Sequence, residues 1–268
     1  MPRIPVGDML PHLKAVWAYR YFWMSLVKMD LMTRYRRSVL GIGWSLLHPI
    51  AMTTIICIAF GALFEAPIEK FAPYLMAGLT FWSFISTVTV GGCQSFFNGE
   101  SYIRQHPAPM AIYPLRTMLG GAFHYSLGLM LVIALAGVMR GYENAWPLFT
   151  LIPTLMLLLM FGWSLAILFA VINVRFRDTN HLTEIGLQIM FYLTPVMYYP
   201  DLLLKRGVGT FLYFNPMVPF LELLRKPICD CEVPDPTTYL IAAAIVLVSS
   251  TAAVVALRSQ ERQVIFHL

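Results

Sequence analysis

Three arginines stand within four residues at the start of the stretch RYRRSVLGIGWSLLHP, which covers residues 34–49. Arg34, Arg36 and Arg37 carry permanent charges on forked guanidinium groups, which suit phosphate oxygens. A run with no acidic or basic side chain except His48 follows them directly. Such a cluster at the mouth of an apolar segment can gather a lipid phosphate. It equally suits simple attraction to anionic membrane lipids, so both interpretations stay open.

Two glycines come directly after this basic cluster. Gly41 and Gly43 permit a tight turn where a helix lying at the membrane surface bends into a span. We therefore place Gly41 with the three arginines in a candidate entrance site at this mouth of the membrane.

The elements that must position these residues are membrane helices. The chain has 268 residues, of which 58% are hydrophobic and only 12% are charged, about half the charged fraction of a soluble domain. The mean hydropathy is +0.67. These values predict an all-α integral membrane protein built as a single transmembrane domain.

Six segments are candidate transmembrane helices, since a span needs roughly 20 apolar residues. They cover residues 41–64, 74–97, 117–139, 148–174, 185–200 and 239–257. The fifth is short and contains Pro195. Residues 201–238 are broken by further prolines and predict short or re-entrant helices that form an outer gate region.

The lysines and arginines predict the orientation of these spans. Thirteen of the 19 fall on the side that holds both termini, and six fall on the other side. The positive-inside rule therefore places both termini, including the tail 258–268, in the cytoplasm. The basic balance indicates an anionic membrane leaflet as the partner and gives no reason to expect nucleic acid.

The six segments contain no aspartate, glutamate, lysine or arginine. Ion-coupled carriers and intramembrane hydrolases need ionisable groups at depth, so both classes are disfavoured. His48 and His124 are the only ionisable side chains there, and hydrogen bonding to a neighbouring helix is the more common role of such a histidine. No glycine is followed by lysine, so the chain has no ATP-binding P-loop. Energy would enter through a partner.

Residues 1–40 predict a cytoplasmic N-terminal interface helix that is rich in aromatic residues. The alternative is a helix packed against the spans. The loop after the second span carries Pro107 and Pro109, which favour a short, rigid helical turn. Cys229 and Cys231 lie in a polar loop without two further ligands nearby, so no metal site is predicted there.

Four motifs in order resemble the permease subunits of bacterial ABC exporters for polysaccharides, of the O-antigen and teichoic acid type and related to capsule exporters. They are RYRRSVLGIGWSLLHP before and into the first span, VRFRD after the fourth, FYLTPVMYYP at the fifth, and FNPMVPFLELLR before the sixth. Their order and spacing cover nearly the whole chain.

The resemblance implies a homodimer in the bacterial inner membrane with two separate ATP-binding cassette subunits docked below it. ATP and Mg²⁺ would be bound by those subunits, and this chain would bind no cofactor and catalyse no reaction. The cargo would be a lipid-linked glycan, and the entrance formed by Arg34, Arg36, Arg37 and Gly41 would take its lipid pyrophosphate. The residues that receive ATPase motion would be Glu100, Arg104, Pro107, Pro109, Arg177 and Asp178.

A conduit for a sugar polymer needs hydroxyls and aromatic rings, because sugars present both hydroxyl groups and C–H faces. The channel candidates among the aromatic residues of the spans are Trp44, Phe81, Trp82, Phe84, Tyr125 and Tyr192. Two alternatives to polysaccharide export remain at this point. One is the permease of a drug or small-lipid ABC exporter with the same fold, and the other is a membrane enzyme acting on polyprenyl-linked sugars.

Overall fold

The computed structural model describes residues 9–36, 38–60, 67–105, 108–142, 144–201, 207 and 209–267, without the side chains of residues 9–13, 60 and 260–267. Two predicted site residues, Arg37 and Pro107, lie outside the described residues. So do residues 1–8 of the predicted N-terminal helix and residues 202–206 of the predicted outer gate.

Most of the described residues are helical, and none of them forms a strand. In chain order the α-helices are α1 (Met9–Ala18), α2 (Arg20–Tyr35), α3 (Trp44–Phe60), α4 (Ile68–Asn98), α5 (Glu100–Gln105), α6 (Ile112–Arg140), α7 (Leu151–Arg175), α8 (Thr179–Leu193), α9 (Val218–Arg225) and α10 (Pro236–His267). Short 3₁₀ turns occupy Gly41–Gly43, Trp146–Thr150 and Gly209–Phe214, and a π-helical turn occupies Lys226–Asp230.

Five helical segments in the described part of the chain are long and apolar enough to cross a membrane. They contain α3, α4 with α5, α6, α7 and α10, and they match five of the six predicted spans. The all-helical membrane architecture is thus confirmed, and the count of six remains a prediction.

The predicted fifth span, 185–200, differs most from the structure. Helix α8 begins at Thr179, six residues earlier, and ends at Leu193 after 15 residues, a length of roughly 22 Å. Thr194 is extended, with φ −97° and ψ 136°. A residue that precedes proline is disfavoured in the helical region, so Pro195 explains why the helix ends here.

Helix α4 is the centre of the molecule, since α3, α6, α7, α8 and α9 all pack against it. Phe81, Ile85 and Val88 of α4 are fully buried in the main hydrophobic core. Phe161 of α7 stacks on Phe220 of α9 in the same core, with ring centres 4.9 Å apart. The core therefore joins the long helices to the short helix α9.

The N-terminal helices α1 and α2 are separated at Tyr19 and lie partly against the spans. The indole nitrogen of Trp23 donates to the carbonyl of Val16 at 3.1 Å, which stabilises the break between them. An ion pair between Asp30 of α2 and Arg116 of α6 joins α2 to the long helices. The structure therefore has the packing that the alternative interpretation predicted, while Trp17 and Tyr21 remain exposed.

Arg225, at the end of α9, is buried and has no carboxylate partner among the described residues. Its guanidinium donates to the carbonyls of Tyr74 at 3.2 Å, Pro195 at 2.6 Å and Val196 at 2.7 Å. We call this arrangement the Arg225 cage. It joins α9 to α4 and to the turn that follows α8.

Candidate functional site

Two adjoining grooves run between α2, α3, α4 and α6. The first, which we call the hydroxyl groove, has a volume of about 390 Å³. The second, the basic groove, has a volume of about 630 Å³ and lies towards the end of α4 and the start of α6. Arg34, Thr87, Gly121 and His124 line both, so the two form one continuous depression.

The polar wall of this depression comes from one face of α4. Thr80, Ser83, Thr87, Gly91, Ser95 and Asn98 line one or both grooves, and they recur at intervals of three or four residues. This spacing places them on one side of a helix. In the described part of the chain, the hydroxyls of Ser83 and Thr87 make no hydrogen bond, whereas Thr80 donates to the carbonyl of Met76 at 2.7 Å.

A hydrogen-bonded cluster holds the bend between α2 and α3 against α6. The hydroxyl of Tyr35 lies 2.7 Å from the Ser45 hydroxyl and 2.9 Å from Nδ1 of His124, and Ser45 lies 3.0 Å from the same nitrogen. Gly41 has a φ of +49°, which favours glycine, and its N–H donates to the Ser38 hydroxyl at 3.1 Å. The bend is therefore fixed by local geometry and by contact with α6.

The basic groove contains a bidentate ion pair. Nε and Nη2 of Arg116 donate to the two carboxylate oxygens of Asp30. Arg34 also lines this groove, and its side chain is exposed. Ser95 and Tyr113 line the same groove; both are buried, and their hydroxyls have no hydrogen-bond partner among the described residues. The groove therefore contains two cations, one carboxylate that pairs with Arg116, and two buried hydroxyls without a partner among the described residues.

The hydroxyl groove has no carboxylate among its described lining residues, and its charge comes from Arg34 at the junction of the two grooves. Such a surface can hydrogen bond to neutral hydroxyl groups and stack on apolar faces. The basic groove can neutralise an anion. No cluster of three histidine, cysteine, aspartate or glutamate side chains that could hold a metal occurs in the described residues.

Comparison with known proteins identifies the family to which this chain belongs. The sequence pattern of the ABC-2 type transporter membrane family matches residues 21–228. The chain belongs to this family.

Three relatives share most of the length of this ABC-2 type chain. An O-antigen export system permease protein RfbA of Myxococcus xanthus is 27% identical over 257 residues, which are 94% of this chain and 98% of that protein. An RfbA protein of Klebsiella pneumoniae is 24% identical over 201 residues, 74% of this chain and 76% of that protein. The polysialic acid transport protein KpsM of Escherichia coli is 25% identical over 207 residues, 74% and 78% of the two chains.

The predicted entrance residues of this ABC-2 type protein lie around the bend after α2. Arg34 lines both grooves. Arg36 is exposed, and its backbone N–H donates to the carbonyl of Thr33 at 3.3 Å. Gly41 forms the bend itself. The structure thus brings Arg34 to the grooves and leaves Arg36 on the surface beside them.

Three of the six predicted channel aromatics line the hydroxyl groove, and the other three lie elsewhere. Trp44, Phe84 and Tyr125 line the hydroxyl groove, and the rings of Phe84 and Tyr125 are 5.1 Å apart. Trp82 packs against Phe191 of α8 with ring centres 5.6 Å apart. The other two predicted aromatics are Phe81, which is fully buried in the core, and Tyr192, which is exposed on α8. A role in lining a channel stays a prediction for all six.

The predicted coupling residues gather at one end of α4. Glu100 and Arg104 form an ion pair of 2.9 Å within α5. The guanidinium of Arg177 lies 5.5 Å from the ring of Phe97, near the end of α4. Asp178 immediately precedes α8. The amide of Ile112 at the start of α6 donates to the carbonyl of Pro109 at 3.0 Å.

Sequence reasoning missed the groove residues Asp30, Arg116 and Ser95. Asp30 is the one acidic residue in α1 and α2, where the other charged residues are lysines and arginines, and this was an available signal for a cationic partner. Nothing in the sequence indicates that its partner is Arg116, 86 residues away. The expected hydrogen bonding of His124 to a neighbouring helix is confirmed by its contacts with Tyr35 and Ser45.

Proposed function

We propose that this chain is the permease subunit of an ATP-driven exporter that moves a lipid-linked polysaccharide across the bacterial inner membrane. The hydroxyl groove carries this proposal. Its free hydroxyls on Ser83 and Thr87, its aromatic residues and its lack of carboxylates among the described lining residues suit a neutral sugar chain. The relatives named for O-antigen and polysialic acid export support a polysaccharide as the cargo.

The arginines beside the bend after α2 suit the lipid diphosphate at the other end of the cargo. A polyprenyl diphosphate carries its charge at the membrane surface, where Arg34 and Arg36 are exposed. Arginine binds phosphate oxygens through two parallel N–H groups. The lipid end would therefore be gathered beside the groove that accepts the sugars.

The proposal includes the assembly around this chain. Two copies would form the conduit, with six spans each and both termini in the cytoplasm, and two separate ATPase subunits would bind ATP and Mg²⁺. The short helices of residues 201–238 would form the outer gate. The segments around Glu100–Gln105 and Arg177 would receive the motion of the ATPases, because they meet at the same end of α4.

The decisive experiment removes the groove hydroxyls without changing side-chain volume. The double variant Ser83→Ala and Thr87→Val should lower surface glycan by about 10-fold, since each lost hydrogen bond costs about 0.5–1.5 kcal/mol. Lipid-linked glycan should accumulate inside the cell. Thr251→Val is the matched control, because Thr251 is exposed on α10 away from the groove. Unchanged glycan display together with altered drug resistance would assign the chain to drug export instead.

A further inference from the structure

The basic groove contains a cation that is only partly used. The side chain of Arg116 is 13% exposed, and its single carboxylate partner, Asp30, is 43% exposed. The hydrogen bonds of Arg116 involve Nε and Nη2. Nη1 makes none with the described residues, so it can donate to an incoming anion before Asp30 is displaced.

The surroundings of Arg116 are those of an anion site. Arg34 and His124 line the same groove, and Arg34 is the second permanent cation. The buried hydroxyls of Ser95 and Tyr113 are 3% and 1% exposed by residue and have no partner within the described part of the chain. Hydroxyls without acceptors are costly when buried, and phosphate oxygens are acceptors of the right kind.

We propose that Arg116 is a phosphate-binding residue and that Asp30 is its resident counter-ion, which the diphosphate of a membrane-embedded polyprenyl lipid replaces. The inference rests on the proposed function, because it assigns the substrate's diphosphate to a second position beyond the exposed arginines. Asp30 keeps the partly buried guanidinium paired between transport cycles. Leaving a partly buried charge without a partner would cost stability.

A diphosphate fits this exchange better than a single phosphodiester. It carries more than one negative charge and can contact Arg116 and Arg34 together, whereas a bulk phospholipid offers one charge. Displacing Asp30 removes one of the contacts that join α2 to α6, while Tyr35 at the end of α2 keeps its hydrogen bond to His124. Binding of the diphosphate is thereby coupled to movement of the N-terminal helix.

The test uses the full-length permease in phosphatidylcholine nanodiscs, with farnesyl diphosphate as the probe in calorimetric titrations. Asp30→Asn removes the competing charge and should tighten binding at least about 5-fold. Arg116→Gln should weaken it about 10-fold, and Arg116→Lys should restore part of the loss. Glu222→Gln is the control, because it breaks the Glu222–Lys226 ion pair of 3.0 Å outside the groove; it should leave the affinity unchanged.

A second measurement needs no variant. Amide hydrogen exchange across residues 26–34 of the wild-type chain should become faster when farnesyl diphosphate binds, since α2 loses its ion pair. Unchanged or slower exchange, or weaker binding by Asp30→Asn, would overturn the proposal. Equal competition by phosphatidylglycerol would also overturn it, by assigning the site to bulk lipid.

The outcomes separate this inference from the proposed function. If Asp30→Asn binds farnesyl diphosphate more tightly but the chain exports no glycan in cells, the diphosphate site is supported and the glycan assignment is removed. If the chain exports glycan normally but Asp30→Asn leaves the diphosphate affinity unaltered, the proposed function is supported and the diphosphate site is removed.

Discussion

The guanidinium carbon of Arg225 lies 3.5 Å from the centre of the Tyr74 ring. The ring covers one face of the guanidinium. The N–H groups at the edge of the guanidinium donate to the three backbone carbonyls of the Arg225 cage. The cation is thus stabilised by an aromatic face and by carbonyl dipoles. One side chain thereby fixes α9 and the turn after α8 onto the central helix.

Replacing Arg225 should destabilise the protein strongly. In Arg225→Met three carbonyls lose their donor, and each buried unsatisfied group costs about 1–3 kcal/mol. We expect a loss of at least about 3 kcal/mol, seen as a lower Tm in detergent. Arg225→Lys keeps the charge with fewer N–H donors, so its Tm should lie between those of the wild type and Arg225→Met. The control Arg140→Met removes an exposed arginine at the end of α6; an equal drop in Tm for both would contradict the role of the cage.

Gly78 should not tolerate a side chain, because the cage lies against it. A Cβ at Gly78 would be 2.3 Å from Nη2 of Arg225 and 2.7 Å from the carbonyl oxygen of Val196. Gly78→Ala should therefore lower Tm and loosen α9, as measured by limited proteolysis. Gly186→Ala in α8 is the matched control, since its Cβ would meet nothing within 4 Å. Alanine favours a helix by about 1 kcal/mol over glycine, so this control should be neutral or stabilising.

The two neighbouring cysteines should differ in reactivity. Burial raises the pKa of Cys229 to about 12, and the reactive species is the thiolate. Cys231 is only half-buried. In single-cysteine variants at pH 8, a maleimide should label Cys229 at least about 100-fold more slowly than Cys231. Raising the pH increases the thiolate fraction of Cys229, yet the difference should persist through pH 9.

Denaturation supplies the control for this labelling, because both thiols should then react at similar rates. A membrane-impermeant reagent added to spheroplasts also tests the orientation. Labelling of Cys231 from outside agrees with the predicted topology, and labelling that requires lysed cells contradicts it.

The contact between α5 and α2 should matter for coupling. The ring of Tyr102 meets that of Phe22 edge to face at 6.0 Å, and its hydroxyl lies 3.9 Å from the sulfur of Met29. Tyr102→Ala removes this contact, so ATP hydrolysis by the partner should continue while glycan export falls several-fold. Tyr21→Ala removes an aromatic residue whose side chain is 73% exposed and should preserve coupling. If both variants export normally, α5 does not transmit motion through α2.

Most of the transmembrane helices could be predicted from the sequence, because a long apolar run between charged residues strongly indicates a span. Five of the six predicted segments correspond to long helices with bounds shifted by a few residues. The fifth could not be placed from hydropathy alone. Helix α8 starts in the polar stretch TNHLTE and stops before Pro195, and an apolar run read between charges gives neither boundary.

The groove was harder to predict than the spans. Hydroxyl residues of α4 are visible in the sequence, yet α4 is buried on most sides and so shows no single apolar face. Ser83 and Thr87 face the groove, while Thr89 donates back to the carbonyl of Ile85 at 2.7 Å. Only the positions of α3 and α6 decide which hydroxyls are free. The Arg225 cage joins residues up to 151 positions apart and has no local signal.

The composition of α4 has a consequence for the insertion of the protein into the membrane during translation. Among the five candidate spans α4 is the least apolar and the most buried. The helices that cover its hydroxyl and glycine positions, α6 and α7, follow it in the chain and are synthesised later. During translation α4 is therefore the candidate span least suited to lipid on its own, and its polar positions are covered only once α6 and α7 emerge. We expect its stable insertion to depend on those later helices.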